Sequence, residues 1–237
     1  MVSRRGDARA LIERHLEAGD PSGWFEPLYA AVGRDVGALP WHVDGPHPYV
    51  VDWLAAPVAE IAGPRAVVVG CGLGDEVPGL VDLGMAVTAF DVSPTAVRRA
   101  RRRVRRAGGA ARRAAVDWRV ADLLDPPGDL PGSFDLVVEV HTVPWLPGVV
   151  RDAAMQAIGG LAAPGGVVLA VTVLAASSQA ARDVEGPPWP QAPAELAAYR
   201  AAGLEQVALE HADADASGLL EARLTWRRPA SEPAPSP

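Results

Sequence analysis

Apolar residues change their spacing near residue 62, and the change divides the chain. Over residues 4–61 they recur at helical intervals, first at Leu11, Ile12 and Leu16, then at Trp24, Leu28 and Val32, with glycine and proline between the groups. This predicts about three helices. From Arg65 onward, short apolar runs bounded by Gly, Asp or Pro alternate with Ala/Arg/Leu-rich stretches long enough for helices, the pattern of βαβ units. The runs at 66–69, 86–90, 117–120, 134–140, 166–173, 205–211 and 219–226 predict seven strands. Near-continuous apolar runs such as Val167-Val-Leu-Ala-Val-Thr-Val173 fit strands covered on both faces, as parallel strands in α/β proteins are. The last two runs are too close for a crossover helix and predict an antiparallel hairpin at the end of the sheet. The proline-rich residues 229–237 predict a disordered tail.

Composition narrows the chemistry. The chain has 237 residues, 49% of them hydrophobic, and a net charge of −7, which describes a globular protein long enough for a sizeable core. Lysine is absent, which excludes Schiff-base chemistry on a lysine amine and the phosphate-gripping lysine of a P-loop. Asparagine is absent too, and with it any N-glycosylation acceptor. One cysteine, Cys71, permits no intramolecular disulfide and no cysteine-rich zinc site, and it suits a reducing compartment. Glu13, Arg14, His15 and Glu17 break the only apolar run near the N-terminus, and no segment approaches the roughly 20 apolar residues of a membrane helix. The expected location is the cytoplasm, with no membrane partner.

The strongest local motif is Val67-Val-Val-Gly-Cys-Gly-Leu-Gly-Asp-Glu76, in which Gly70, Gly72 and Gly74 follow the first strand and let a ligand approach the backbone. Its G-x-G-x-G spacing departs from the dinucleotide fingerprint G-x-G-x-x-G and argues against NAD; a tight turn without a ligand is the alternative. Asp91 ends the second strand 21 residues beyond Gly70, where a carboxylate can accept hydrogen bonds from ribose hydroxyls or, equally, cap the helix that starts at Pro94. Asp122 follows the third strand, with Val92 and Leu123 placed to flank a base. The fourth strand carries Glu139 and His141 to the carboxyl edge, where open α/β sheets bind ligands.

Taken in order, these glycines, Asp91, Asp122, the strand ending at Glu139, the Leu161-Ala-Ala-Pro-Gly-Gly166 turn and the closing hairpin resemble the class I S-adenosylmethionine-dependent methyltransferases over residues 61–227. The resemblance implies a Rossmann-like, mostly parallel α/β sheet of order 3-2-1-4-5-7-6, a core at 62–228 and a helical lid at 1–61. It also implies S-adenosyl-L-methionine as cofactor, S-adenosyl-L-homocysteine as product and methyl transfer to a small molecule. Gly70, Cys71, Gly72 and Gly74 would border the methionyl part, Asp91 the ribose, Asp122 and Leu123 the adenine with Val92 on its other face, and Glu139 the amino end. Trp24-Phe-Glu-Pro-Leu-Tyr29, Leu39-Pro-Trp-His42 and Gly186-Pro-Pro-Trp-Pro190 are similar to the thiopurine, halide and thiol group, where the segment holding Trp41 helps cover the cofactor. Relatives in that group carry tyrosine where this chain has His141.

If the acceptor is a hydroxyl or thiol its proton must leave, which makes His141 the first candidate base and His42 the second. Trp41, Trp145 and Trp189 sit in loops expected to converge over the carboxyl edge and wall the acceptor site; Trp24, Trp53, Trp118 and Trp226 are expected in the core. Nine arginines fall within residues 98–113. They alternate with alanine on a helix of an acidic chain, which reads as a solvated face and argues against nucleic acid as partner. A nucleic-acid methyltransferase and a non-catalytic scaffold are the alternative readings.

Overall fold

The computed structural model describes residues 4–33, 35–56, 61–107, 116–212 and 219–231. Seven strands, β1 (Arg65–Val69), β2 (Ala86–Asp91), β3 (Val116–Val120), β4 (Phe134–Val140), β5 (Ala162–Ala175), β6 (Glu205–His211) and β7 (Leu219–Arg227), form one sheet of order 3-2-1-4-5-7-6. Strands β1 to β5 run parallel, whereas β7 is antiparallel to both β5 and β6. The order and the closing hairpin are those implied by the sequence. Most strand boundaries fall within two residues of those expected, and the largest difference is that β5 begins at Ala162 rather than 166, because Ala162 already pairs with Phe134 before a register shift brings Val167 opposite Leu136. Gly165, at φ +79°, sits inside that irregularity.

Alternation along the central strands divides the core into two layers. Val67, Val69, Val137 and Val168 point to one face, where they meet Ala154, Met155 and Ile158 of α6 (Gly148–Leu161). The intervening Ala66, Val68, Leu136 and Val138 point to the other face, with Val50 of α3 (Pro48–Ala55), Val77 and Leu80 of α4 (Val77–Asp82) and Val104 of α5 (Pro94–Ala107). Both faces are thus covered, which is why the middles of these strands are apolar. Two short helices also border the sheet, at Ser178–Arg182 and Ala197–Ala201. No described helix is long and apolar enough to cross a membrane.

The N-terminal part holds α1 (Arg4–Glu17), α2 (Phe25–Ala31) and α3, the three helices expected there. Trp24 is fully buried and stacks on Phe25 at 3.8 Å between ring centroids. Trp226 is buried in the first of these layers, and Trp53 and Trp118 are half-buried against the second. On α5, Val97, Ala100 and Val104 face inward while Arg98, Arg101, Arg102, Arg103, Arg105 and Arg106 are exposed, as a solvated face requires. Arg112, Arg113 and most of the expected tail, 232–237, lie outside the described residues.

Leu136 is fully buried at the middle of β4 and cannot be truncated without leaving a cavity. Leu136→Ala is expected to lower unfolding free energy by about 2–5 kcal/mol in urea denaturation; a change below 1 kcal/mol would contradict the two-layer core.

Candidate active site

Elements from both halves of the chain converge on one cavity over the carboxyl ends of β1, β2 and β4. Its floor is the turn after β1. Gly70 and Gly72 adopt φ of +57° and +52°, in the left-handed region that favours glycine. A Cβ on Gly70 would lie 2.5 Å from Thr142 Oγ1, and one on Gly72 would lie 3.0 Å from the Tyr29 hydroxyl. The turn is tied to β2 twice: Cys71 N donates to Phe90 O at 2.9 Å, and Gly72 N donates to Asp91 Oδ2 at 2.9 Å. Burial pushes the Cys71 thiol up, which disfavours the thiolate.

Asp91 accepts a second hydrogen bond on Oδ1, from Ser93 N at 2.9 Å. Burial raises its pKa to about 6, against the pull of these two backbone donors. The cap of α5 is Ser93 instead, whose Oγ accepts from Ala96 N at 3.0 Å, while Pro94 fills the first helical position. Glu26 of α2 completes that helix start by accepting from Thr95 N at 2.9 Å, Thr95 Oγ1 at 2.6 Å and Ser93 Oγ at 2.5 Å. Its negative charge also meets the positive end of the helix dipole.

Asp122 stands in the cavity wall beside Leu123 and Ala121. Its Oδ2 accepts from Ser22 Oγ and its Oδ1 from Leu124 N, both at 2.9 Å, so this loop is joined to the N-terminal segment. Opposite lie Phe25, Tyr29, Leu39, Trp41 and Trp145. Trp41 meets Trp145 edge-on at 4.9 Å and donates from its indole nitrogen to the Tyr29 hydroxyl at 3.0 Å. The polar end holds His42, His47, Glu76, His141 and Glu221. Burial raises Glu76 to about 7.

His141 has φ +54° and is the single non-glycine residue with positive φ among those described. Such a backbone costs on the order of 1–3 kcal/mol and persists where its surroundings over-determine it. Here its N–H donates to Val171 O at 2.8 Å and its Nε2 lies 3.1 Å from Glu221 Oε1. Nε2 of His47 lies 3.1 Å from the same oxygen. Hydrogen bonds from His141 first and His47 second hold Glu221 down to about 2, while burial pushes His47 below the usual imidazole range.

Of the residues expected at the site, Trp41, His42, Gly70, Cys71, Gly72, Asp91, Val92, Asp122, Leu123, His141 and Trp145 line this cavity. Gly74, Glu139 and Trp189 stand behind its wall. Gly74 packs on Ala100 and Trp118, and Trp189 joins the Ile12, Trp24 and Trp145 cluster. Glu139 is fully buried; its Oε1 accepts from Thr142 N at 2.5 Å and Val143 N at 3.1 Å, and its Oε2 has no partner among the described residues. His47 and Glu221 were not expected. His47 precedes Pro48 and reads as an ordinary helix cap, and Glu221 reads as a polar position in an edge hairpin.

Sheet order and site geometry define a Rossmann-like fold of the methyltransferase type. Residues 67–168 match the family model described as "Methyltransferase domain". A curated ubiquinone biosynthesis O-methyltransferase from Xanthomonas campestris pv. campestris (strain B100) is 33% identical over 140 residues, 56% of this chain and 55% of that protein. The chain therefore matches about half the length of this relative. Among solved structures, one described as "Conversion of a Disulfide Bond into a Thioacetal Group during Echinomycin Biosynthesis" aligns with TM-score 0.62 and 25% identity over 81% of this chain and 85% of that one. The magnesium protoporphyrin IX methyltransferase of Synechocystis PCC 6803 with bound SAM aligns with TM-score 0.63 and 16% identity over 86% and 95%, a likeness of fold.

Burial raises the Glu139 carboxyl from 4.5 to about 7. The folded chain thus holds this proton more tightly than the unfolded chain, and the group's contribution to stability falls as pH rises from 4.5 through 7. Glu139→Gln removes the titration. Relative to wild type, its unfolding free energy is expected to improve by on the order of 3 kcal/mol between pH 4.5 and 8 in denaturant titrations. Parallel pH profiles would contradict a buried, titrating Glu139.

Proposed function

We propose that the protein is an S-adenosylmethionine-dependent methyltransferase acting on a small molecule that presents a thiol, hydroxyl or amine. The observation that carries this reading is the shape of one cavity, in which a glycine turn braced by Asp91 forms the floor and tryptophans with a histidine cluster form the opposite wall. The fit to the cofactor rests on the turn: Gly70 and Gly72 line the cavity in left-handed backbone, and with Thr142 and the Tyr29 hydroxyl packed against them no side chain stands between the turn and a ligand. Gly70, Cys71 and Gly72 would border the methionyl part, Asp91 the ribose, and Asp122, Val92 and Leu123 the adenine. Trp41 would cover the cofactor, while His42 and Trp145 would shape the acceptor site.

Bound there, the cofactor supplies an electrophilic sulfonium methyl group. The chain's own residues hold an acceptor in line, keep water out and take a proton where the acceptor carries one. His141 is the candidate for that last task. Residues 1–61 act as the lid and 62–228 as the core, joined by the Ser22–Asp122 bond and by Glu26 at the start of α5. The aromatic wall around Trp41 supports a place near the thiopurine, halide and thiol group. The dispersed, solvated arginines of α5 support a small molecule over nucleic acid as partner.

Calorimetric titration with S-adenosylmethionine, S-adenosylhomocysteine and NADH tests this reading. Micromolar binding of the first two and none of the third is expected. Asp91→Ala is expected to weaken that binding by about 1–3 kcal/mol. Binding of NADH alone, or an unchanged affinity in the variant, would overturn the assignment.

A further inference from the structure

A histidine–carboxylate–histidine cluster at a cavity wall fits two chemistries. His47, His141 and Glu221 each offer one ligand atom, all within 4.8 Å of one another, which suits a divalent cation. The same three groups can instead pass a proton. The backbone decides between them. Tyr49 N–H belongs to the first turn of α3, where no helical carbonyl is available, and it donates to His47 Nδ1 at 3.2 Å. A ring nitrogen that accepts a hydrogen bond carries no proton, so neutral His47 holds its proton on Nε2, the atom 3.1 Å from Glu221 Oε1. That nitrogen then has no lone pair for an ion.

His141 follows from the same rule. A carboxylate oxygen only accepts, so Nε2 of His141, also 3.1 Å from Glu221 Oε1, donates to it. Nδ1 of His141 keeps the lone pair, and no protein group among the described residues bonds to it. Glu221 itself is fixed from two sides. It sits on β7 opposite Val173, and its carbonyl oxygen accepts from the Tyr49 hydroxyl at 3.4 Å. The positive φ of His141 turns its ring off the line of β4 toward this carboxylate, out of the regular strand geometry.

We propose that Glu221 is a positioning residue that, with His47 as its second donor, fixes the ring and tautomer of His141 so that Nδ1 serves as the base for a protic acceptor, a thiol or a phenol. The inference rests on the methyl-transfer reading and narrows its substrate class, since neither a halide nor a neutral tertiary amine has a proton to give. In the step, the acceptor's electron pair forms the bond to the methyl carbon as the carbon–sulfur bond breaks and leaves its pair on sulfur. The acceptor's proton passes to Nδ1 of His141, and Glu221 balances the imidazolium charge until the proton leaves to water. The charged and titratable groups acting on His141 are Glu221 from β7, His47 ahead of α3, Glu76 at the start of α4 and Glu139 from β4.

Two measurements on the full chain test the proposal. Long-range proton–nitrogen NMR at pH 8 reads each ring's tautomer without any acceptor or cofactor. Nε2–H is expected on both His47 and His141, and on His141 it is expected to give way to a mixture in Glu221→Gln. Nδ1–H on either wild-type ring overturns the proposal, as does a zinc or manganese titration that shifts both rings in wild type and neither in Glu221→Gln. Because this readout needs no methyl donor, the tautomers can hold even where the methyl-transfer reading fails, and the two failures are separable. Rates supply the second test. With a thiol or phenol substrate, His141→Asn is expected to lower kcat/KM by on the order of 100- to 10,000-fold, and Glu221→Gln by at least about tenfold, with its acid limb moved to lower pH. Both losses are expected to vanish for an electron-poor thiophenol already ionised at the assay pH. Equal losses for ionised and protonated acceptors would reduce Glu221 to a structural role and overturn the proposal.

Discussion

One buried carboxylate organises the carboxyl edge of the sheet. Asp91 is 6% exposed and sits where β1 and β2 end side by side. Its two oxygens accept from Gly72 N and Ser93 N, so a single side chain sets both the turn that leaves β1 and the turn that enters α5. Burial favours the neutral carboxyl, and the backbone donors favour the charge. Without an acceptor there, Gly72 N–H would lose its partner beside a cavity lined by Tyr29 and Leu73. The floor of the site therefore depends on a bond from the turn to the next strand as well as on the glycines of the turn itself.

Of the N-terminal helices, α3 packs Val50 into the core, whereas α1 and α2 join that floor chiefly through smaller clusters and polar links. The two main apolar clusters belong almost wholly to the sheet and its flanking helices, whereas Trp24, Tyr29, Trp41 and Trp145 form smaller clusters of their own. Between the two regions run polar links: Glu26 to the start of α5, Ser22 to Asp122, and His47 to Glu76 and Glu221. Such links are directional and individually worth about 1 kcal/mol. They fix where the aromatic wall stands relative to Asp91 without making it part of the core. The candidate site then lies where the sheet meets this N-terminal cover, a usual place for a small-molecule site.

Much of this was legible in the sequence, and the reason is local. Strands covered on both faces are apolar over most of their length, so β1, β4 and β5 announce themselves, and the glycine turn with Asp91 is a short-range pattern whose parts are fixed by adjacent strands. Side-chain direction was less legible. Glu139 ends an apolar strand at the right edge, yet it turns inward and spends one oxygen on Thr142 N and Val143 N. Trp189 follows a loop toward the site but packs behind Trp145. His47 and Glu221 were invisible because neither belongs to a local motif; 174 positions separate them, and only the placement of β7 beside β5 brings them to one oxygen of distance. The positive φ of His141 is equally silent, since histidine carries no turn signal of the kind glycine does.

A crystal structure grown with S-adenosylhomocysteine tests the central claim most directly. The ribose hydroxyls are expected against Asp91, the adenine between Val92 and Leu123, and the sulfur facing the chamber walled by Trp41, Trp145 and His141. Density for the nucleoside elsewhere on the chain, or a ribose turned away from Asp91, would contradict the claim that this cavity is where methyl transfer takes place.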